Sequence, residues 1–186
     1  MNKKTNWLNT PTVMKIMKLK TAMYTFSRPL QIGAKLAGTG PQTLKSLFNY
    51  GQKLGIGFQI QDDILGVFGE EKKLGKSAAS DVREGKKTLL IVELFKEIEK
   101  LKRTSEKKGR ETEEKLLRIY GNKKAGQKEL AWLRKKMIEL GALKKVRQKA
   151  IQLIEESEEI LKGIKIREKE KQFLREIGQY IIKRKF

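Results

Sequence analysis

Two adjacent carboxylates, Asp62 and Asp63, lie inside the apolar run GFQIQDDILGVFG that spans residues 57–69. The chain has 43 Lys+Arg against 22 Asp+Glu, so the balance of surface charge does not call for two acids at this point. Neighbouring carboxylates repel each other and resist burial unless a cation is present. Mg²⁺ is typically bound through one or two carboxylates, several waters and substrate phosphates. The pair therefore indicates a site for a divalent cation and a phosphate-bearing ligand, with pairing to local lysines on a solvated face as the alternative.

The composition narrows the chemistry that such a site can use. The sequence contains no histidine and no cysteine, which excludes Ser-His arrangements, cysteine nucleophiles, thiolate metal sites and disulfides. Carboxylates, lysines, hydroxyls and a hard cation remain. Lys76 and Lys86 follow the acidic pair in a polar, glycine-containing loop, from which they could fold back over the metal and meet a diphosphate. Lys20 and Thr21 could do the same from an earlier helix.

Helices are predicted to position these residues. Thr10 and Pro11 indicate a helix start, because a capping hydroxyl is followed by proline at the first helical position. A second helix is expected to begin near Pro41 and to carry the acidic pair. Gln59 and Asp62 then share one face of that helix, because they are three residues apart.

The remaining apolar stripes also have helical spacing, and no alternating strand pattern of convincing length occurs. A helix is expected to resume at Leu89, followed by a charged helical hairpin, mobile or extended, over residues 99–128. Gly51, Gly55 and Gly57 are costly within a helix, so they either allow close helix packing or clear space for an apolar ligand. The predicted fold class is all-α, a helical bundle.

Several segments resemble the trans-polyprenyl diphosphate synthases, the geranylgeranyl/farnesyl diphosphate synthase family. GFQIQDDILGVFG followed by LGKSAASDVREGKKTLL is similar to the family's second aspartate-rich region. KLKTAMYTFSRPLQIGAKLAG resembles its Lys-Thr helix, and FNYGQKLGIGFQI resembles its approach to the aspartates. ALKKVRQKAIQLIEESEEIL and LREIGQYIIKR resemble its last helices. The resemblance is strong over residues 12–95 and weaker over 130–184, and it implies a partial isoprenoid-synthase fold.

The resemblance also implies a reaction and a set of site residues. Asp62 and Asp63 would hold Mg²⁺ that bridges the diphosphate of an allylic substrate. The residues implied to line that diphosphate and the nascent cation, as catalytic and substrate-binding groups, are Lys20, Thr21, Gln59, Lys76 and Lys86. The family ionises the allylic diphosphate, joins it to the double bond of isopentenyl diphosphate and passes a proton to the pyrophosphate. This agrees with the composition, because a metal acting as Lewis acid needs no histidine or cysteine.

Two features depart from the family pattern. The motif usually reads DDxxD, whereas its last position here is Gly66, as in short-chain members that resemble DDxLG. In addition, Asp-Asp occurs only once in the chain, and nothing resembles the family's first aspartate-rich motif or its N-terminal isopentenyl diphosphate region. Residues 1–186 are therefore expected to be the C-terminal part of a polyprenyl synthetase domain, incomplete or inactive alone.

Three roles follow as hypotheses. The chain is the C-terminal portion of a trans-prenyltransferase (a fragment, a split-gene product or one chain of an oligomer), or a non-catalytic partner subunit of such a synthase. The third role, a nucleic-acid or membrane-surface binder, rests on the net charge of +21 and the lysine-rich segment 96–150. That segment lacks the interleaved aromatic residues of single-strand binders, so we expect no nucleic-acid partner.

The expected surroundings of the chain follow from its surface and its apolar runs. No run is long enough for a signal peptide or a membrane span, which favours a soluble cytoplasmic protein. A homo- or hetero-oligomer is expected, because uncovered apolar helix faces associate. The basic surface also permits peripheral contact with an anionic membrane.

Overall fold

The structure, a computed structural model, describes residues 9–69 and 80–183. This part of the chain is almost entirely helical and contains no strand, so the all-α prediction is confirmed. The helices are α1 (Thr10–Met17), a π-helical segment (Lys18–Ser27), α2 (Arg28–Leu36), α3 (Pro41–Phe68), α4 (Ser80–Arg83), α5 (Leu89–Thr104), α6 (Glu106–Ile119), α7 (Gln127–Glu139), α8 (Ala142–Lys162) and α9 (Glu168–Lys183). None of the helices within these described ranges combines the length and hydrophobicity of a membrane span.

The chain divides into two compact units. The first is built mainly from Asp62–Arg147, and the second from Pro11–Gln61 together with Gln148–Arg184. The division falls within α3, which begins at Pro41 as the sequence predicts and continues without a break to Phe68.

In the second unit, glycines of α3 allow the π-helical segment to pack against it at backbone distance. A Cβ atom on Gly55 would lie 2.5 Å from the Cα atom of Ala22, and a Cβ atom on Gly51 would lie 2.8 Å from the Cα atom of Ser27. A Cβ atom on Gly57 would lie 2.8 Å from the Ile154 side chain. Of the two interpretations of these glycines, close helix packing is confirmed. The unit's long-range polar contacts support the same packing, because the buried Ser27 hydroxyl donates to the Phe48 carbonyl oxygen at 3.1 Å.

The core of the second unit joins α3 to the last two helices. The Tyr50 hydroxyl is buried and donates a 2.8 Å hydrogen bond to the carbonyl oxygen of Leu174, 124 residues further along the chain. The apolar side chains buried around this bond are Leu47, Leu54, Ile154, Leu161, Ile164, Leu174 and Ile181. A phenol that is otherwise surrounded by hydrocarbon needs such an acceptor, because an unpaired buried hydroxyl is costly.

In the first unit, α5 and α6 pack against each other as a helical hairpin, the charged hairpin, which includes part of the charged stretch 99–128. Gly109 makes the contact possible, since a Cβ atom there would lie 2.7 Å from the Cα atom of Lys102. The Lys102 ammonium pairs at 2.7 Å with Glu99 on its own helix and at 2.7 Å with Glu113 on α6. Thr88 caps α5 by accepting a 3.4 Å hydrogen bond from the Ile91 amide.

We predict that the close approach at Gly55 can be tested by adding a single methyl group. Gly55→Ala places that methyl against the Ala22 backbone, which cannot move as a side-chain tip can, and it should lower the free energy of unfolding by about 1–3 kcal/mol. Gly33→Ala is the matched control, because Gly33 is also helical and a Cβ atom there meets nothing within 4 Å. It should stabilise by up to about 1 kcal/mol. Urea unfolding of both variants makes the comparison, and equal stabilities would contradict the packing.

Candidate functional site

Asp62 and Asp63 differ in their surroundings although they are adjacent on α3. The Asp63 side chain points into the first unit and is only 3% exposed, whereas Asp62 is half-buried. A carboxylate as deeply buried as Asp63 requires a positive partner to remain ionised. Asp62 keeps contact with solvent and can offer its oxygens to an external ligand.

Lys86 supplies the positive partner. Its ammonium nitrogen lies 2.9 Å from Oδ1 of Asp63 and 2.9 Å from Oδ2 of Asp81. Burial alone would lower the pKa of the Lys86 ammonium, but the charges and hydrogen bonds of the two carboxylates outweigh it and hold that pKa above its usual value. Lys86 is therefore a permanent cation held between two acids.

Backbone and side-chain hydrogen bonds fix the loop that carries Lys86. Gly85 has a φ angle of +64°, a conformation that favours glycine, and its carbonyl oxygen accepts a 2.7 Å hydrogen bond from the Tyr120 hydroxyl. The same hydroxyl contacts the Lys86 carbonyl oxygen at 3.1 Å, and the Lys86 amide donates to the Asp81 carbonyl oxygen at 2.8 Å. Burial raises the pKa of Tyr120 to about 12, so this phenol stays protonated and continues to donate. The end of the charged hairpin thus holds the lysine in place.

Asp63, Asp81 and Lys86 form one cluster of charged side chains. The sequence analysis assigned no role to Asp81. It lies on α4, and its Oδ2 atom occupies the space in front of Gly66, 2.6 Å from where a Cβ atom of that residue would be. Its spacing from the lysines gave no signal of this contact, because the contact depends on how residues 80–86 fold back onto α3. The glycine at the last position of the motif was the available signal.

Thr21 and Gln59, predicted to act on the same ligand, meet in the second unit. The Thr21 hydroxyl donates a 2.5 Å hydrogen bond to Oε1 of Gln59, and Thr21 is itself buried. Lys20 precedes it on the π-helical segment and is exposed. Segments with π-helical hydrogen bonding are rare and frequently occur at functional sites. Lys76 lies outside the described residues.

The donor set suits a hard cation that also binds substrate oxygens. Among the residues that the structure describes, no three Asp, Glu, His or Cys side chains form a group that could hold a metal by themselves. Mg²⁺ does not need such a group, because it commonly takes one or two carboxylates and fills its other positions with waters and phosphates. The half-buried carboxylate of Asp62 fits that role, and Asp63 beside it neutralises the nearby ammonium.

Comparison with known proteins identifies the family. The family model of polyprenyl synthetase matches residues 1–137. The chain belongs to the polyprenyl synthetase family. Its relatives include the geranylgeranyl diphosphate synthase of Sulfolobus acidocaldarius, 43% identical over 108 residues that make up 56% of this chain and 29% of the relative. The geranylgeranyl diphosphate synthase of Methanosarcina mazei is 31% identical over 93% of this chain and 48% of its own length.

A solved structure of the family extends the likeness to the fold. The geranylgeranyl pyrophosphate synthase of Corynebacterium glutamicum, in complex with isoprenyl diphosphate and magnesium, is 30% identical and superposes with a TM-score of 0.84 over 94% of this chain and 47% of that one. The predicted isoprenoid-synthase fold is thus confirmed. The polyprenyl synthetase chain described here spans about half the length of that enzyme and of the Methanosarcina mazei relative, and less of the Sulfolobus acidocaldarius relative.

We predict that Lys86 stabilises the fold through Asp63. Lys86→Met should lower the free energy of unfolding by about 2–4 kcal/mol, because a buried carboxylate loses its cation. Lys100→Met is the matched control: Lys100 pairs with Glu97 at 2.9 Å but its side chain is 60% exposed, so the loss should stay below about 1 kcal/mol.

The double variant Asp63→Asn/Lys86→Met separates the charge from the packing. It should recover more than half of the lost stability, since the buried charge is removed together with its partner. Urea denaturation gives all three values, and a Lys86→Met loss as small as that of Lys100→Met would contradict the assignment.

Proposed function

We propose that this chain supplies the part of a trans-prenyltransferase that binds an allylic diphosphate through Mg²⁺. The observation that carries the proposal is the pairing of buried Asp63 with Lys86 next to the solvent-contacting Asp62, within a family whose Corynebacterium glutamicum member binds isoprenyl diphosphate and magnesium. Such an arrangement places a carboxylate for a cation and a permanent ammonium for a phosphate within a few ångströms of each other.

The carboxylates and the lysine take different roles in this proposal. Asp62 and Asp63 form the metal-binding pair, with Asp62 offering oxygens outward and Asp63 holding the Lys86 ammonium in position. When bound, Mg²⁺ would supply Lewis-acid stabilisation of the negative charge that develops on the departing pyrophosphate. Lys86 adds fixed positive charge on the same oxygens. A preorganised cation is more effective there than water, because it needs no reorientation as the charge develops.

Four further residues complete the proposed diphosphate contacts. Thr21 is held by Gln59 in a fixed orientation, so that its hydroxyl and the Gln59 amide act as a unit. Lys20, exposed on the same π-helical segment, and Lys76 bring additional positive charge. These residues bind and neutralise, and none of them must donate or accept a proton at neutral pH, which agrees with the absence of histidine from the sequence.

The proposed reaction is carbon–carbon bond formation in isoprenoid biosynthesis. The bond between the allylic carbon and the diphosphate oxygen breaks, and the electron pair leaves with pyrophosphate. The double bond of isopentenyl diphosphate attacks the allylic carbon, and the adduct then loses a proton to pyrophosphate. We propose that this takes place in the cytoplasm and that the chain works in a homo- or hetero-oligomer, in keeping with the helices that expose large apolar side chains such as Ile32 and Leu36.

We predict that metal and diphosphate bind together and through Asp62. Calorimetry with Mg²⁺ and an unreactive allylic thiodiphosphate should give a binding signal that disappears when Mg²⁺ is left out, because a carboxylate pair alone repels the anion. Asp62→Ala should abolish the signal. Glu114→Ala, which removes an exposed carboxylate from α6, should leave it unchanged. Equal binding by the Asp62 variant and the parent chain would sink the proposal.

We also predict that the 186-residue chain does not catalyse condensation by itself. The sequence contains one Asp-Asp pair, whereas ionising the diphosphate requires its charge to be neutralised from both sides. Orientation of two substrates contributes about 7–11 kcal/mol to such reactions, and only one substrate's contacts are identified here. Assays with isopentenyl diphosphate and dimethylallyl, geranyl or farnesyl diphosphate should show no product until a polypeptide with another aspartate-rich motif is added. Turnover by the lone chain that is lost in Asp63→Ala would refute this expectation.

A further inference from the structure

The position that ends the acidic motif is filled by a carboxylate from another helix. Gly66 has no side chain, and the Asp81 carboxylate lies directly over it, with Oδ2 at 2.6 Å and Cγ at 3.1 Å from an ideal Cβ atom. Any side chain at position 66 would therefore displace Asp81. Glycine and the aspartate form a matched pair, although 15 residues separate them in the sequence.

The charges of the cluster favour a cation over a free anion. Asp63 and Asp81 share the single positive charge of Lys86, so these three side chains carry a formal charge of −1, and Asp62 makes it −2. An ammonium has three donor hydrogens, and the two carboxylates engage two of them. The third could be donated to an acceptor on a ligand. These three carboxylates would repel a diphosphate alone, and a divalent cation that accompanies the diphosphate would offset their repulsion.

We propose that Asp81 is a positioning residue that supplies, across Gly66, the third carboxylate that the motif itself lacks. It acts by holding the Lys86 ammonium together with Asp63 and by adding negative charge for the metal–diphosphate complex. Asp81 acts through the Lys86 ammonium, which its Oδ2 atom contacts at 2.9 Å, rather than as a metal ligand. This inference rests on the proposed function and adds a residue to it.

A purely structural role for the Asp81 side chain predicts a different result. The backbone carbonyl of Asp81 already accepts a hydrogen bond from the Lys86 amide at 2.8 Å, and that contact survives any change of the side chain. If the side chain only supports the loop, its loss should reduce stability and leave the metal requirement of ligand binding unchanged.

The test is the Mg²⁺ concentration that gives half-maximal binding of an unreactive allylic thiodiphosphate to the full chain. Asp81→Asn should raise this concentration at least about tenfold, the size of one charge-assisted hydrogen bond. Gly66→Ala should do the same, because it keeps the carboxylate but pushes it away. The double variant Gly66→Asp/Asp81→Ala empties the space over position 66, returns a carboxylate to it from α3 and should restore the concentration to within about threefold of the parent chain. Glu84→Gln, the control, removes an exposed charge three residues away and should change nothing.

The outcomes separate this inference from the proposed function. An unchanged Mg²⁺ requirement in a cooperatively folded Asp81→Asn chain overturns the inference alone, provided that Asp62→Ala still abolishes binding. Failure of the double variant to recover, with its thermal unfolding still cooperative, also overturns it. A parent chain that binds no thiodiphosphate at any Mg²⁺ concentration overturns both.

Discussion

The burial of one ionised carboxylate governs the architecture of the first unit. Asp63 is almost fully removed from solvent, and the ammonium of Lys86 at 2.9 Å offsets the cost of burying its charge. Lys86 must therefore be brought back to α3 from a loop 20 or more residues away, and every contact that orders this loop serves that requirement. Gly85, with its positive φ angle, turns the chain, and the Tyr120 hydroxyl fixes the turned peptide by donating a hydrogen bond to the Gly85 carbonyl oxygen. Folding therefore sets the position of Lys86 before any ligand binds.

In the second unit, the main constraint is the close approach of the π-helical segment to α3. Its glycines remove the side chains that would keep Ala22 and Ser27 at a distance. The π-helical segment that contains these residues then holds the Thr21 hydroxyl against Gln59. Helical glycines cost stability in isolation, by about 1 kcal/mol each. Their presence at three positions of one helix indicates that close approach, and the fixed Thr21–Gln59 pair that accompanies it, outweighs the loss.

Sequence patterns were sufficient for the parts of the structure that depend on local chemistry. The start of α3 at Pro41 and the return to helix at Leu89 follow from proline and periodicity signals that act over a few residues. The π-helical hydrogen bonding of Lys18–Ser27 and the contact between Gly66 and Asp81 do not, because both depend on which backbone approaches which. The glycines of α3 lie between these cases. Their cost is visible in the sequence, but only the distance to Ala22 distinguishes helix packing from space for a ligand.

The hydrogen bond from Tyr120 to the Lys86 loop means that the position of Lys86 depends on the length of the charged hairpin. Tyr120 follows directly after α6, so its direction is set by the number of residues between the hairpin turn and the end of that helix. Losing one residue from α6 would rotate the phenol by about 100° and shift it by roughly 1.5 Å. The identity of the solvent-facing lysines and glutamates of the hairpin is therefore less constrained than the number of residues in α6. In this family member, the number of residues in the mostly charged helix α6 thus sets the position of the Tyr120 hydroxyl.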